Sequence, residues 1–323
     1  MNNHQLRLIE FYQNVKSFLS MLFSAYEIDD HYVIRIFGIK FCKKFSPEIK
    51  FTEVTEKGIT TDKRNPKIIV SLTTFPPRIN SVYKTISTLL EQTVKPDEVV
   101  LWLATEDFPD KKLPENLTNL QTFGLTIKWC DNIKSYKKLI PALAEYPDDI
   151  IITVDDDYYY DKDLVKNLLE EHKKYPDCII GARANRLVPQ KDKSFKLKRR
   201  SYIYDSSYRP SYLNPFIGFG GVLYPPHALH KDVMNKEKFM TIIPTNDDAW
   251  FWINAVRNKT RFVPCRNGYK LKFYLIENSQ QVGLYQVNGP NSAQGVSGED
   301  AANMFMKMYP DAKEIIDGEL HNA

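Results

Sequence analysis

The run Ile150-Ile-Ile-Thr-Val154, followed at once by Asp155-Asp156-Asp157, constrains this chain more than any other stretch. A strand that is apolar on both alternating faces must be covered on both sides, which places it inside a layered sheet. Three adjacent carboxylates at its end repel one another, and the repulsion grows where water is scarce. Such a triplet is costly unless something positive sits among it. A divalent cation serves, because hard cations prefer oxygen ligands. Alternate residues of an extended chain project to one side, so Asp155 and Asp157 are the pair that can face one ion. A metal held there can clamp a diphosphate and stabilise its charge as it leaves. The bland alternative is a solvated acidic turn that caps the next helix.

The neighbouring segments tell what kind of sheet this is. Ile68–Leu72, Glu98–Ala104, Leu125–Cys130 and Cys178–Gly181 are further short apolar runs rich in β-branched residues. Between them lie helical stripes. Val82, Ile86, Leu89 and Leu90 follow Ser81 as N-cap; Leu164, Val165, Leu168 and Leu169 follow Asp161 or Asp163 as cap; Lys134 to Leu143 is partly helical, interrupted by Pro141. Strands alternating with helices predict an α/β fold with a doubly wound, mostly parallel sheet. Ligands of such sheets bind beyond the carboxyl ends of the strands. Three loops fall there: Thr73 to Arg78, Thr105 to Phe108, and Asp155 to Tyr160.

The flanks read differently. Residues 5 to 24 carry apolar side chains at helical spacing. They form an amphipathic helix that either packs on the catalytic domain or lies on a membrane interface. Ile34 to Lys44 alternates apolar and basic residues, as a β-hairpin arm or as part of that same surface. Residues 45 to 65 look like a polar connector. The 323 residues divide into an N-terminal extension over 1–64, a catalytic domain over 65–275 and a helical C-terminal extension over 276–323. A net charge of +4 is too mild for a nucleic-acid binder and suits anionic substrates or an anionic membrane surface. Cys42, Cys130, Cys178 and Cys265 are scattered without a CxxC pair, which points away from a zinc site or a disulfide framework and towards a reducing cytoplasm. Neither a secretory signal nor a transmembrane helix is expected.

A second acidic pair, Asp247-Asp248, precedes an amphipathic helix containing Trp250, Trp252, Ile253 and Val256. The pair either favours the helix dipole or supplies a general base. Upstream, Gly218-Phe-Gly-Gly221 is either a tight turn or a place of close backbone approach to a ligand. Lys137, Lys138, Arg183 and Arg186 are candidates to neutralise a diphosphate. Tyr158, Tyr159, Tyr160, Tyr202, Tyr204, Tyr208 and Tyr212 offer flat faces on which a ligand ring can stack.

Strand-Asp-Asp-Asp followed by a helix resembles the DXD signature of GT-A glycosyltransferases. The segment Ile68 to Arg78, its helix to Gln92-Thr93, and Glu98 to Ala104 look like the opening strand-helix-strand of bacterial family 2 type enzymes. The resemblance covers about residues 66 to 275. It implies a GT-A, Rossmann-like fold. Thr73, Thr74 and Arg78 would meet the nucleotide. Glu106 or Asp107 would be the acidic partner of base and ribose, in a Thr105-Glu106-Asp107 segment that departs from the commoner Asp-Asp-Gly-Ser form. Lys137, Lys138, Asp155 and Asp156 would contact the donor, and Asp155 and Asp157 a divalent metal, Mn2+ or Mg2+. By the same resemblance Asp248 is the catalytic base of an inverting displacement, with Asp247 in reserve. The implied activity is hexosyl transfer from a nucleoside diphosphate-sugar, with uridine diphosphate as carrier, to a glycan or lipid-linked acceptor. The implied setting is capsule, O-antigen or lipopolysaccharide assembly in the cytoplasm, in peripheral contact with the inner face of a bacterial membrane. A sugar nucleotidyltransferase is a second enzyme reading. It usually carries an early glycine-rich loop, and Ser71 to Arg78 has no glycine. A non-catalytic glycan-binding protein is a third, against which the intact acids at Asp155, Asp157 and Asp248 speak.

Overall fold

A computed structural model describes residues 23–28, 31–37, 39–44, 53–198, 209–282 and 295–321. The first described elements are β1 (Phe23–Ile28), β2 (His31–Ile36) and β3 (Ile39–Lys44), a three-stranded antiparallel sheet. The helix expected over residues 5 to 24 lies outside the described residues up to 22, and Phe23 and Ser24 belong to β1.

The larger body runs β4 (Ile68–Thr73), α1 (Val82–Leu90), β5 (Glu98–Ala104), the single turn α2 (Glu115–Thr118) and β6 (Leu125–Cys130). It continues through α3 (Ile140–Glu145), β7 (Ile150–Thr153), β8 (Tyr158–Tyr159), α4 (Leu164–His172) and β9 (Ile179–Gly181). After these come β10 (Arg186–Pro189), β11 (Phe195–Lys198), β12 (Val222–Tyr224), α5 (Lys236–Ile242), α6 (Asp247–Arg257), β13 (Phe262–Pro264), β14 (Tyr274–Leu275), α7 (Gly298–Met308) and α8 (Pro310–His321).

Seven strands form one sheet in the order β13-β9-β12-β7-β4-β5-β6. Every pair is parallel except those of β12, which runs antiparallel to both β7 and β9. This is the α/β, mostly parallel sheet that the alternation predicts. Strand periodicity divides its side chains between two cores. Ile69, Val100, Trp102 and Ile151 enter one, and Ile68, Val70, Leu72, Val99, Leu101, Ile150 and Ile152 the other. Helices α1 and α4 cover the second core. Helix α6 covers the first and is itself overlaid by α7 and α8, through Phe305 and Ile316. Buried on nearly every side, α6 is apolar after its first turn except for Asn254, whose amide donates to the Trp250 carbonyl, and the terminal Arg257. Its two indoles donate to carbonyls, Trp250 to Val233 at 3.1 Å and Trp252 to Tyr212 at 2.8 Å, so their polar edges are satisfied.

Four local outcomes differ from the sequence reading. The Lys134–Leu143 segment is two pieces, a 3-10 turn at Lys134–Lys138 and then α3. Pro141 sits in the first turn of α3, where its missing N–H interrupts nothing. Val222–Tyr224, directly after the glycines, is the reversed strand β12, too short for the sequence pattern to reveal. Residues 186 to 198, where the sequence reading names no element, form the hairpin β10–β11. Asn303 of α7 holds it by accepting from Phe195 N–H at 2.8 Å and donating to Phe195 O at 2.9 Å. Finally, Asp163 occupies the N-cap of α4 without a capping bond. Its carboxylate accepts from Thr93 Oγ1, and Asp161 turns to Asp163 N–H and Lys272 N–H.

Chain order reverses direction at β4. Strands β5 and β6 follow on one side of it and β7 lies on the other, so a crevice opens beyond the carboxyl ends of β4 and β7. Thr74 and Asp155 leave the sheet at that crevice.

Candidate active site

The acidic triplet begins two residues after β7, and its backbone is held from several directions. Asp155 N–H donates to Tyr160 Oη at 2.9 Å. Thr85 Oγ1 on α1 donates to the Asp156 carbonyl at 2.9 Å, and Ile276 N–H to the Asp157 carbonyl at 2.8 Å. Three separate segments therefore fix where these carboxylates point.

Two cations divide the triplet's side chains between them. Arg78, at the end of the 3-10 turn Pro76–Arg78, pairs through Nη1 with Asp156 Oδ1 at 2.5 Å and through Nη2 with Asp157 Oδ2 at 3.1 Å. Its Nη2 also donates to the Ser279 carbonyl at 2.9 Å. Thr74 Oγ1 donates to Asp156 Oδ2 at 2.5 Å, so both oxygens of Asp156 are engaged within the protein. Burial pulls the Arg78 guanidinium down, but Asp156 and Asp157 more than offset it and hold it above its usual range. Burial raises the Asp156 carboxyl against the pull of Arg78 and Thr74. Burial, reinforced by Asp156, pushes the Asp157 carboxyl up to about 7.

Lys138 serves the other side. Its ammonium lies 2.9 Å from Asp155 Oδ1, 2.9 Å from Asp247 Oδ2 and 3.8 Å from Asp248 Oδ1. Ser71 Oγ in β4 donates to the Lys138 carbonyl at 2.6 Å, tying this turn to the sheet. Burial alone would lower the lysine, yet the three carboxylates raise it well above its ordinary value, so it is a fixed positive charge. Asp247 accepts a further bond from Ser135 Oγ at 2.8 Å. Asp248 Oδ2 accepts from Gly218 N–H at 2.9 Å. A Cβ at Gly218 would stand 2.7 Å from Lys138 Nζ and 2.8 Å from Asp248 Oδ1, so a side chain there would displace the charged cluster. The Asp248 side chain keeps 34% of its exposure, at the floor of a cleft with protein around it. That setting pushes its carboxyl up to about 7, through burial, with Lys138 opposing. Asn246, not either aspartate, is the helix cap: its Oδ1 accepts from Ala249 N–H at 3.2 Å.

The structure brings most of the sequence-predicted residues to one cavity of about 780 Å³. Thr73, Thr74, Arg78, Asp107, Lys137, Lys138, the triplet, Asp247 and Asp248 all line it. Between the two acidic candidates after β5, it is Asp107 that faces the cavity, beside Lys137 at 3.7 Å. Glu106 lies outside the lining and accepts from Asn132 N–H through both oxygens, which lowers its carboxyl. Thr73 Oγ1 donates to the Trp102 carbonyl at 2.8 Å. Arg183 and Arg186 do not reach this cavity. Arg183 is fully buried and donates to the carbonyls of Gly268 and Leu271, and Arg186 donates to Ser211 and Asn214. Of the tyrosines, Tyr158 lines the cavity and stacks on Phe219 with centroids 4.8 Å apart. Tyr160 is buried under Asp155, and Tyr212 is buried beneath Arg261. Tyr202, Tyr204 and Tyr208 lie outside the described residues.

Sequence reasoning missed Ser135, Asn132 and Thr85. Asn132 donates to Asp107 Oδ1 at 2.8 Å and its own side-chain oxygen accepts from Lys134 N–H, shaping the turn that delivers both lysines. The closeness of polar residues to Lys137-Lys138 was the available signal for Ser135 and Asn132. Thr85 carried none, since it sits inside a helix far along the chain from the triplet.

The cavity wall carries Asp107, Asp155, Asp156, Asp157, Asp247 and Asp248 against Arg78, Lys134, Lys137 and Lys138. Carboxylates outnumber cations, so an anion entering alone would meet net repulsion. A divalent cation removes that obstacle, and Asp155 and Asp157 offer the hard oxygen donors such an ion takes. Among the described residues, no three His, Cys, Asp or Glu side chains gather as a ready ligand set. An ion here would complete its shell with water and ligand oxygens. Also among the described residues, no helix is long and apolar enough to cross a membrane.

No family model matches this sequence. No curated protein matches it either. Solved structures similar to it include S. aureus TarS residues 1–349, at 14% identity and a TM-score of 0.39 over 65% of this chain and 60% of that one. They also include GalNAc-T7 with UDP, GalNAc and Mn2+, at 9% identity and a TM-score of 0.43 over 67% of this chain and 44% of that one. The chain thus spans less than two thirds of the length of either protein.

Proposed function

We propose that this chain is a GT-A glycosyltransferase. It would move a sugar from a nucleoside diphosphate-sugar, with uridine diphosphate as carrier, onto a hydroxyl of a glycan or lipid-linked acceptor. One observation carries the reading: Asp155 of the triplet and the Asp247-Asp248 pair, far apart in sequence, meet on the single ammonium of Lys138 at the mouth of the sheet crevice. Donor-side and acceptor-side chemistry need that proximity, because a sugar carbon must lie between a leaving phosphate and an attacking hydroxyl.

Each residue has a task on this reading. Asp248 takes the proton of the acceptor hydroxyl as its oxygen bonds to the anomeric carbon. The bond from that carbon to the phosphate oxygen breaks, and the nucleoside diphosphate leaves with the electron pair. A carboxyl pushed up to about 7 is a stronger base than an ordinary one and is still largely ionised at mildly alkaline pH. Gly218 N–H and Lys138 hold that carboxylate in place, with Asp247 as the second acid on the same lysine. Lys137 and Lys138 bring positive charge towards the diphosphate, and Thr73 and Asp107 stand where the nucleoside would enter. Asp156, with both oxygens engaged by Arg78 and Thr74, holds the loop in shape. A divalent ion, Mn2+ or Mg2+, held by Asp155 and Asp157 would supply Lewis-acid stabilisation of the leaving diphosphate. One displacement inverts the anomeric centre, so a product retaining the donor's configuration would rule this mechanism out. The setting proposed with it is capsule, O-antigen or lipopolysaccharide assembly in the cytoplasm, with residues 65–275 as the catalytic unit.

The decisive experiment is a thermal-shift titration with uridine diphosphate, with and without Mn2+, on wild type and Asp157→Ala. A ligand that binds only the native state must raise its melting temperature. A metal-dependent rise that Asp157→Ala abolishes is expected. No rise, or a rise indifferent to the substitution, would overturn the donor-site reading.

A further inference from the structure

The N-terminal sheet carries a surface of a different kind. In β2 and β3, Ile34 stands opposite Phe41 and Ile36 opposite Ile39. Directly opposed residues of an antiparallel pair share a face. These four side chains therefore form one apolar block, and Ile34, Phe41, Ile36 and Ile39 are 46%, 55%, 47% and 63% exposed. Phe37, in the turn between the two strands, is 74% exposed. Lys43 lies on the same face, one step further from the turn, and is also exposed. Scattered exposed apolar residues are ordinary, but a contiguous block at a hairpin tip marks a contact surface.

The charge of the hairpin says what that contact is. From His31 to Lys44 there is no Asp or Glu, while Arg35, Lys40, Lys43 and Lys44 are basic. Register places Arg35 opposite Lys40 and His31 opposite Lys44 at the positions alternating with the apolar block, while Lys43 shares the block's face. Basic residues therefore follow the apolar tip at both alternating sets of positions, and an anionic surface attracts them. Apolar side chains whose charged neighbours along the hairpin are all basic suit the interface of a bilayer. There the former enter the headgroup–acyl boundary and the latter meet lipid phosphates.

We propose that the β2–β3 hairpin docks this protein on an anionic phospholipid bilayer. The contact is independent of sugar transfer, so it stands or falls separately from the proposed function. Its test is co-sedimentation of the full chain with vesicles of phosphatidylglycerol and phosphatidylcholine, compared with phosphatidylcholine alone. Wild type should pellet with the anionic vesicles only. Ile36→Asp combined with Ile39→Asp should weaken that binding by about tenfold or more, and Lys40→Glu with Lys43→Glu should weaken it as well. The melting temperature should stay the same in both variants. Wild type that stays in the supernatant, or variants that pellet as wild type does, would overturn the proposal. So would light scattering that shows a wild-type dimer which Ile36→Asp with Ile39→Asp makes monomeric, since a second copy would then cover the face.

Discussion

Arg78 and Lys138 stand on two sides of one acidic triplet and use it in opposite ways. The Arg78 side is dry and closed. Asp156 and Asp157 are 6% and 5% exposed; a planar guanidinium pairs with both, a threonine hydroxyl donates to Asp156, and a loop carbonyl fixes the guanidinium. The Lys138 side opens to the cleft, where the Asp155 and Asp248 side chains keep 32% and 34% of their exposure. An arginine presents several donors in a fixed plane and suits a permanent joint; a lysine ammonium is a compact point charge that several carboxylates can share. The contrast separates Asp156, both of whose oxygens hold the loop, from Asp155 and Asp248 on the cleft, with Asp157 joined to Arg78 through one oxygen while it lines the cavity.

The sharpest way to break that contrast is at Asp248. Asp248→Asn keeps the shape and the Gly218 bond while removing the base. Turnover should fall by about 10²–10⁴-fold, with melting temperature and nucleotide affinity nearly unchanged; steady-state kinetics beside a thermal melt would show it. Asp248→Asn with near-normal turnover would move the base to Asp247. On the closed side the expected loss is in stability. Arg78→Met strands two buried carboxylates and should cost about 3–5 kcal/mol, read from denaturant unfolding. Adding Asp156→Asn should recover part of it. If Arg78→Met unfolds at the wild-type denaturant concentration, the joint described above is wrong.

The smallest effect sharpens the comparison through pH. The Asp157 carboxyl is raised from the ordinary 3.8 to about 7, so folding favours its protonated form. The associated stability is fully present below about 3.8 and is lost as pH rises through about 7. Asp157→Asn should therefore raise the melting temperature by a few degrees above pH 7 in the absence of metal and nucleotide, and change it little near pH 4. Wild-type kcat/KM should run the other way, falling as pH drops through about 7, because Asp248 must be ionised to accept a proton. A melting temperature of Asp157→Asn that tracks wild type at every pH would show that the triplet's repulsion is already neutralised.

Much of this was legible in residues 68 to 181. Strands that are apolar on both faces, such as Ile150-Ile-Ile, leave no choice but the interior of a parallel sheet, and the acids following them mark its ligand edge. Asp155 was visible as a candidate because charge beside an apolar run is costly and needs a reason; Asp107, Lys138 and Asp248 were named through the family resemblance. Glu106 and Asp107 were indistinguishable, since adjacent residues in a turn diverge only when the backbone is built. Arg183 looked available for a phosphate, yet the fold commits it to the carbonyls of Gly268 and Leu271. Strand β12 was not named as a strand, because three residues carry no period long enough to declare one.

The sequence by itself determined the layered α/β architecture and the chemical character of the crevice, because periodicity and clustered charge are local properties of a chain. Only the tertiary structure decided which charges meet. That Arg78 closes on Asp156 and Asp157, and that Lys138 gathers Asp155, Asp247 and Asp248, depends on which strand ends lie side by side. Long-range ion pairs follow from sheet order, and no local pattern encodes that order.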